Sequence, residues 1–207
     1  MAPSKVFISD LAGDIINYLL REDLCMKLLI FNGSPRKGNT VEALKALREG
    51  LADHPDIEVQ EIKAADAHII PCDGCDACMR SGDCIFEDDS IEINKLVKEA
   101  DFLLFATPVY WWGVTAQLKL VMDKFYACHE EFMNCPKKVG TIVIGEAGLY
   151  DPQYEIIEKQ FWCICDYLGW DKVFSKSYSA NKPTDLHEQT ESLTEIKGLA
   201  EIIFESR

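Results

Sequence analysis

The chain has 207 residues, 48% of them hydrophobic, and its 21 lysines and arginines against 35 aspartates and glutamates leave a formal net charge of −14. That length and composition suit one domain with a full core, and the negative field repels phosphate backbones and anionic membranes, so nucleic acid and membrane surfaces are excluded as partners. Nine cysteines, an odd count, do not suit a fully paired secreted framework. Asp10 and Asp14 interrupt the early apolar stretch, against a secretion signal. No run reaches the roughly 18 apolar residues of a membrane span. The expected compartment is the cytoplasm.

Residues 1–25 read as an N-terminal helical extension. Ser9 and Asp10 are candidate caps, and Leu11, Ile15, Ile16 and Leu19 follow at helical spacing. Two readings stand for this segment: an appendage upstream of a start at Met26, or a helix that packs across a subunit boundary.

From Lys27 onward short apolar runs alternate with amphipathic segments. Strands are expected at 27–32, 57–63, 101–107, 138–145 and 172–178, each rich in Ile, Val, Leu or Phe. Helices are expected at 40–51, where Val41, Leu44, Leu47 and Leu51 share a face, at 90–99, around Leu118, Val121, Met122 and Phe125, and at 152–168 and 186–204. Five strands with intervening helices describe an α/β, doubly wound parallel sheet with helices on both faces, spanning 26–207 as one domain. On such a sheet ligands bind at the carboxyl edge of the strands. The loops there are 33–39, the cysteine segment after the second strand, 108–113 and 146–151.

The first loop, GSPRKGNT, is almost the Gly-x4-Gly-Lys-Ser/Thr loop of nucleotide triphosphatases, but Asn39 stands where the lysine would be. Backbone amides, a helix N-terminus near Thr40 and donors on Ser34, Asn39 and Thr40 still make a phosphate cradle, with Gly38 in the turn and Arg36 and Lys37 adding charge. The third-strand loop, TPVYWWG, sets Tyr110, Trp111 and Trp112 side by side. One packed face cannot bury all three, and aromatics beside a phosphate cradle suit a planar ring. Pro108 and Gly113 fix this loop and let its backbone, with Val109, approach a heterocycle.

Gly33-Ser-Pro-Arg-Lys-Gly-Asn-Thr40, followed by Thr107-Pro-Val-Tyr-Trp-Trp-Gly113 and Gln117-Leu-Lys119, resembles the flavodoxin-like NAD(P)H-dependent FMN reductases over nearly the whole chain from Met26. The resemblance implies FMN, its phosphate on Ser34, Arg36, Asn39 and Thr40 and its isoalloxazine against Pro108, Val109, Tyr110, Trp111, Trp112 and Gly113. The missing lysine is then the ordinary form of a monophosphate loop. The segment IGEAG, 144–148, is a third flavin-side loop by position, with Gly145 as its candidate contact.

Cys72-x2-Cys75-x2-Cys78-x5-Cys84 gathers four thiols in one compact loop. Four cysteines suit a zinc ion or a [4Fe–4S] cluster, and successive x2 spacing with one more nearby favours the cluster; an empty loop of free thiols is the third reading. The motif is similar to that of the iron–sulfur flavoproteins, a branch of the same family. Cys163 and Cys165 lie two apart on a helix and face different ways. Cys128, His129 and Cys135 read as packed or exposed, and His54, His68 and His187 show no partner spacing.

Together these readings describe an FMN-dependent oxidoreductase that moves electrons between a donor, NAD(P)H or an electron-carrier protein, and a small-molecule or protein acceptor. The cluster serves as a one-electron relay on the same sheet edge as the flavin. No residue is expected to act as a catalytic acid, base or nucleophile. The rivals are a cluster-free reductase of quinones, nitro compounds or free flavin, a flavodoxin-like carrier without turnover, and a zinc-stapled binding module. The resemblance implies a homodimer or homotetramer, and it suggests that a neighbouring subunit's cluster is the closer one to the flavin.

Overall fold

The computed structural model describes residues 25–207; the helix expected within residues 1–25 lies outside the described residues. The strands are β1 (Met26–Asn32), β2 (Ile57–Lys63), β3 (Phe102–Pro108), β4 (Lys138–Gly145) and β5 (Asp171–Ser179). They form one sheet in the order β2-β1-β3-β4-β5, with every pairing parallel. This is the flavodoxin-like order.

The helices are α1 (Asn39–Leu51), α2 (Cys78–Ser81), α3 (Ser90–Glu99), α4 (Ala116–Lys124), α5 (His129–Met133), α6 (Pro152–Leu168) and α7 (Thr190–Glu205). Alternation along the central strands divides the core in two. Leu29 and Phe31 of β1 join Leu103 and Phe105 of β3 beneath α3, α4 and α6. Leu28 and Ile30 join Phe102 and Leu104 beneath α1 and α7. The edge strands carry Glu58 and Glu61 in β2 and Asp171, Lys172 and Lys176 in β5, charges that discourage further strand pairing. A Cβ on Gly50 would stand 2.2 Å from the Lys197 carbonyl oxygen, so α1 and α7 meet at backbone distance.

The strands fall within one residue of the expected bounds at each end. The clearest helix is α6, which opens with the Gln153 amide donating to Asp151 Oδ1 at 3.0 Å and Pro152 in its first turn, and closes on Gly169 at φ 69°. The C-terminal helix begins at Thr190, not 186. Residues Asp185–Glu188 form a 3-10 turn, because the Leu186 amide is drawn to Asn39 Oδ1 at 3.1 Å. The short helices α2 and α5 are absent from the sequence reading.

β1 and β3 are neighbours, yet the helices that follow them cover opposite faces of the sheet. The loops leaving them therefore flank a crevice at the carboxyl edge. Among the described residues no helix is long and apolar enough to cross a membrane.

Candidate functional site

A cleft of about 180 Å³ opens at this crevice, lined by Ser34, Arg36, Asn39 and Thr40 from the first loop, Pro108, Val109 and Tyr110 from the third, Ile144 and Glu146 after β4, and Ala180 and Asn181 after β5. Seven of the sequence-predicted residues thus share one cavity. Gly38, Trp111, Trp112, Gly113 and Gly145 are not part of its wall.

The first loop is shaped by side chains that bond inward. The Ser34 amide donates to Asn32 Oδ1 at 3.0 Å, Asn32 Nδ2 donates to Glu61 Oε1 at 2.9 Å, and the Ser34 hydroxyl donates to the Arg36 carbonyl at 2.8 Å. Asn39 Nδ2 donates to the Lys182 carbonyl at 2.8 Å, and with Leu186 on its Oδ1 the side chain tethers the loop after β5. The side-chain donors expected from Ser34 and Asn39 are therefore engaged within the fold. Open donors remain on the backbone. α1 starts at Gly38 with no side-chain cap, and the amides of Lys37, Gly38, Asn39 and Thr40 have no acceptor among the described residues. A helix N-terminus with free amides beside a guanidinium fits a phosphate.

The third loop is a two-residue turn. The Tyr110 amide donates to the Gly113 carbonyl at 2.9 Å and the Gly113 amide returns to Tyr110 at 3.1 Å. Trp111 and Trp112 take φ of 51° and 59° between them, the type I′ geometry that favours Asn-Gly. Trp111 is 91% exposed, and the two indoles meet edge to face at 5.5 Å. The Val109 amide is spent on the Ile144 carbonyl, which leaves the Trp111 and Trp112 amides without an acceptor among the described residues.

Behind the cleft, Thr115 ties the two loops together. Its hydroxyl donates to the Gly33 carbonyl at 2.6 Å and accepts from the Leu118 amide at 3.2 Å, capping α4. Gly145 sits against Val109, Gln153 and Tyr154, and a Cβ there would approach each within 2.9 Å. Gln153 Nε2 is buried in this corner with no partner among the described residues. Burial pushes the Tyr154 phenol up, and its hydroxyl donates to the Ala147 carbonyl at 2.7 Å. Open amides and an orphaned donor around a cleft walled by Pro108, Val109 and Tyr110 fit a phosphorylated heterocycle.

The cysteine segment closes over a separate pocket. Cys72, Cys75, Cys78 and Cys84 all line it, with Phe86, Asp123, Lys124, Tyr126 and Ala127. Gly74, Asp76 and Gly82, at φ of 71°, 55° and 76°, turn the chain between them. Two aspartates staple the base of the loop: Asp89 Oδ2 accepts from the His68 amide at 2.7 Å and Asp88 Oδ2 from the Ile70 amide at 2.8 Å. Burial works to raise the Asp88 carboxyl, but hydrogen bonds from Ser90, Ile70 and Lys124 outweigh it and hold the group below the usual range. Burial pushes the Cys78 thiol up. Among the described residues no three Cys, His, Asp or Glu side chains stand close enough to hold a single metal ion. What the four thiols share is one pocket wall.

The two pockets have no residue in common. α4 runs between them: Thr115 at its start bonds the first loop, and Lys124 at its end faces Cys84. Nine residues rising 1.5 Å each make α4 about 13 Å long. The cysteine loop leaves β2 at the carboxyl edge and packs against the far end of α4. Sequence reading also passed over Asn32, Thr115, Gln153, Ala180 and Asn181. The last two follow from applying the strand-end rule to the fifth strand as well. Cys163 is exposed and Cys165 buried, as expected of their spacing, and Cys128 is buried.

The family model described as NADPH-dependent FMN reductase matches residues 26–157. An iron–sulfur flavoprotein of Methanocaldococcus jannaschii is 38% identical over 121 residues, 58% of this chain and 62% of that protein. An iron–sulfur flavoprotein of Archaeoglobus fulgidus is 35% identical over 129 residues, 62% of this chain and 58% of that one. The chain thus matches about three fifths of the length of these relatives. Among solved structures, the NAD(P)H:quinone oxidoreductase of Methanothermobacter marburgensis superposes with a TM-score of 0.68 at 18% identity, covering 85% of this chain and 94% of that one, a likeness of fold. By its family match and its sheet, the chain belongs to the NADPH-dependent FMN reductase family.

Proposed function

We propose that the chain is an FMN-dependent oxidoreductase that passes electrons from NAD(P)H or an electron-carrier protein to a small-molecule or protein acceptor, with Cys72, Cys75, Cys78 and Cys84 holding a [4Fe–4S] cluster as a one-electron relay. The observation that carries it is the convergence of the uncapped α1 start, Arg36 and the Pro108, Val109 and Tyr110 wall on one cleft. When bound, flavin accepts two electrons from a nicotinamide and releases them singly, and a cluster carries one at a time.

In this reading the amides of Gly38, Asn39 and Thr40 and the Arg36 guanidinium hold the phosphate. Pro108, Val109 and Tyr110 exclude water from one side of the ring, and the Trp111 and Trp112 amides bond its polar edge. Gln153 Nε2 supplies a further donor beneath Gly145. The four cysteine sulfurs meet the cluster in the pocket under Phe86, where Asp73, Asp76, Asp123 and the Lys124 ammonium are the charged groups around it. The names of the curated iron–sulfur flavoproteins support that assignment.

A second reading, a cluster-free reductase of quinones or nitro compounds, is favoured by the exposure of Cys72 and Cys75. The exposed Trp111, Tyr150 and Trp162 support a homodimer or homotetramer, which light scattering checks. The clustering of Cys72, Cys75, Cys78 and Cys84 in one short loop supports a cytoplasmic setting.

The test titrates flavin-free protein with FMN and follows flavin fluorescence. The wild type binds one equivalent, Arg36→Ala binds at least tenfold more weakly, and the FMN-loaded protein oxidises NAD(P)H with a quinone and no partner reductase. Equal affinities would remove the phosphate assignment. Reduction only through an added reductase would make the chain a carrier.

A further inference from the structure

Lys124 is an ammonium in a place that suits a hydrocarbon. Its side chain is 2% exposed and the side chain of its partner Asp88 is fully buried, the two 3.2 Å apart. Its Nζ also stands 3.3 Å from Cys84 Sγ and 4.8 Å from the centre of the Phe86 ring. The Asn94 side-chain amide donates to the Lys124 carbonyl at 3.1 Å and fixes this end of α4 against α3. A buried ion pair of this kind is often no more stabilising than a well-packed apolar pair of the same size. Stability therefore does not explain why the charge is kept.

The orientation of the pair supplies a reason. Asp88 spends its oxygens on the Ile70 and Ser90 amides as well as on Lys124. The ammonium alone reaches the sulfur, so the pair is a dipole with its positive end on Cys84. Resting on the reading of the four cysteines as cluster ligands, we propose that Lys124 is a positioning residue that sets the reduction potential of the cluster through its hydrogen bond to Cys84. The step it acts on is one-electron reduction of the cluster by the proposed donor, reduced flavin or an electron-carrier protein, which is itself oxidised by one electron. No bond is made or broken, the ammonium keeps its protons, and the cluster gains one negative charge. A positive charge and an N–H···S bond at a ligand sulfur favour that more negative state and raise the potential. Because α4 carries Lys124 at one end and the Thr115 cap on the flavin-side loops at the other, the same helix fixes the spacing between the two redox sites.

The experiment is a dithionite titration of the full chain, purified or reconstituted without oxygen, in the wild type, Lys124→Gln, Lys124→Arg and Asp88→Asn. Cluster and flavin midpoints are read in the same sample, with iron assayed for each protein. Lys124→Gln is expected to shift the cluster midpoint to a more negative value by at least tenfold in the one-electron equilibrium, about 59 mV. Lys124→Arg restores it, and Asp88→Asn, which removes the negative end of the dipole, shifts it the opposite way. The flavin midpoint stays where it was in all four. A Lys124→Gln midpoint within twofold of wild type, or a flavin midpoint that moves in step with the cluster, overturns the proposal. Should Lys124→Gln load no iron, the other two variants carry the test: a large shift in Lys124→Arg, or none in Asp88→Asn, overturns it as well. Wild-type protein that takes up no iron overturns the cluster reading itself, a failure the iron assay distinguishes from one of the lysine.

Discussion

The Thr115 hydroxyl donates to the Gly33 carbonyl at 2.6 Å, joining the exits of β3 and β1 where the strand order reverses. The same oxygen caps α4 by accepting from Leu118. One buried hydroxyl therefore holds the glycine-rich loop, the aromatic loop and the helix toward the cysteines in a common frame.

Thr115→Val keeps the shape and removes both bonds, leaving a buried carbonyl and a helix amide unpaired. The expected loss of stability is about 2 kcal/mol, read as a lower urea midpoint. FMN affinity is expected to fall as well, because the cradle loses its anchor. An unchanged midpoint would show that the Gly33 carbonyl finds another partner.

The Trp111-Trp112 turn holds two bulky residues in left-handed backbone, a conformation that costs on the order of 1–3 kcal/mol per residue and tends to occur at functional sites. Trp111→Asn with Trp112→Gly supplies the residues the turn prefers. Trp111 is almost wholly solvent-exposed, so little packing is lost. The double variant is expected to gain about 1–2 kcal/mol of stability while binding FMN more weakly. A destabilised variant would mean that the indoles pack more firmly than their exposure implies.

Cys165 gives a pH dependence. Burial pushes its thiol up to about 11 from an ordinary 9.0. The unfolded chain loses this proton first, so the contribution is complete below pH 9 and falls as pH rises toward 11, by about 2–3 kcal/mol in all. The stability gap between wild type and Cys165→Ala, measured by urea unfolding at pH 8 and pH 10.5, is expected to narrow in the wild type's disfavour. A constant gap would place Cys165 in contact with solvent.

The parts visible in the sequence are those with local causes. β1 and β3 announce themselves because MKLLIFN and FLLFATP are apolar on both faces, and α6 is bracketed by Asp151-Pro152 and Gly169. The glycine-rich loop and the aromatic run likewise point to their cleft. What stayed hidden depends on packing. Leu186 reads as the start of a helix, and only its bond to Asn39, 147 residues away, shows why the helix starts later. Four and five residues are too few for α2 and α5 to show a period. The Lys124–Asp88 pair has no sequence signature, since it exists only where the loop before α3 meets the end of α4. The cysteines were readable as a set, but not their position at the far end of α4.

The central claim is an FMN site and a cysteine cluster on one chain. The most direct test is the absorption spectrum of protein purified without oxygen, before and after dithionite. The account predicts structured flavin bands on a broad brown background, both bleaching on reduction. Flavin bands with no background would contradict the cluster, and a spectrum without flavin bands, in protein that takes up no added FMN, would contradict the account as a whole.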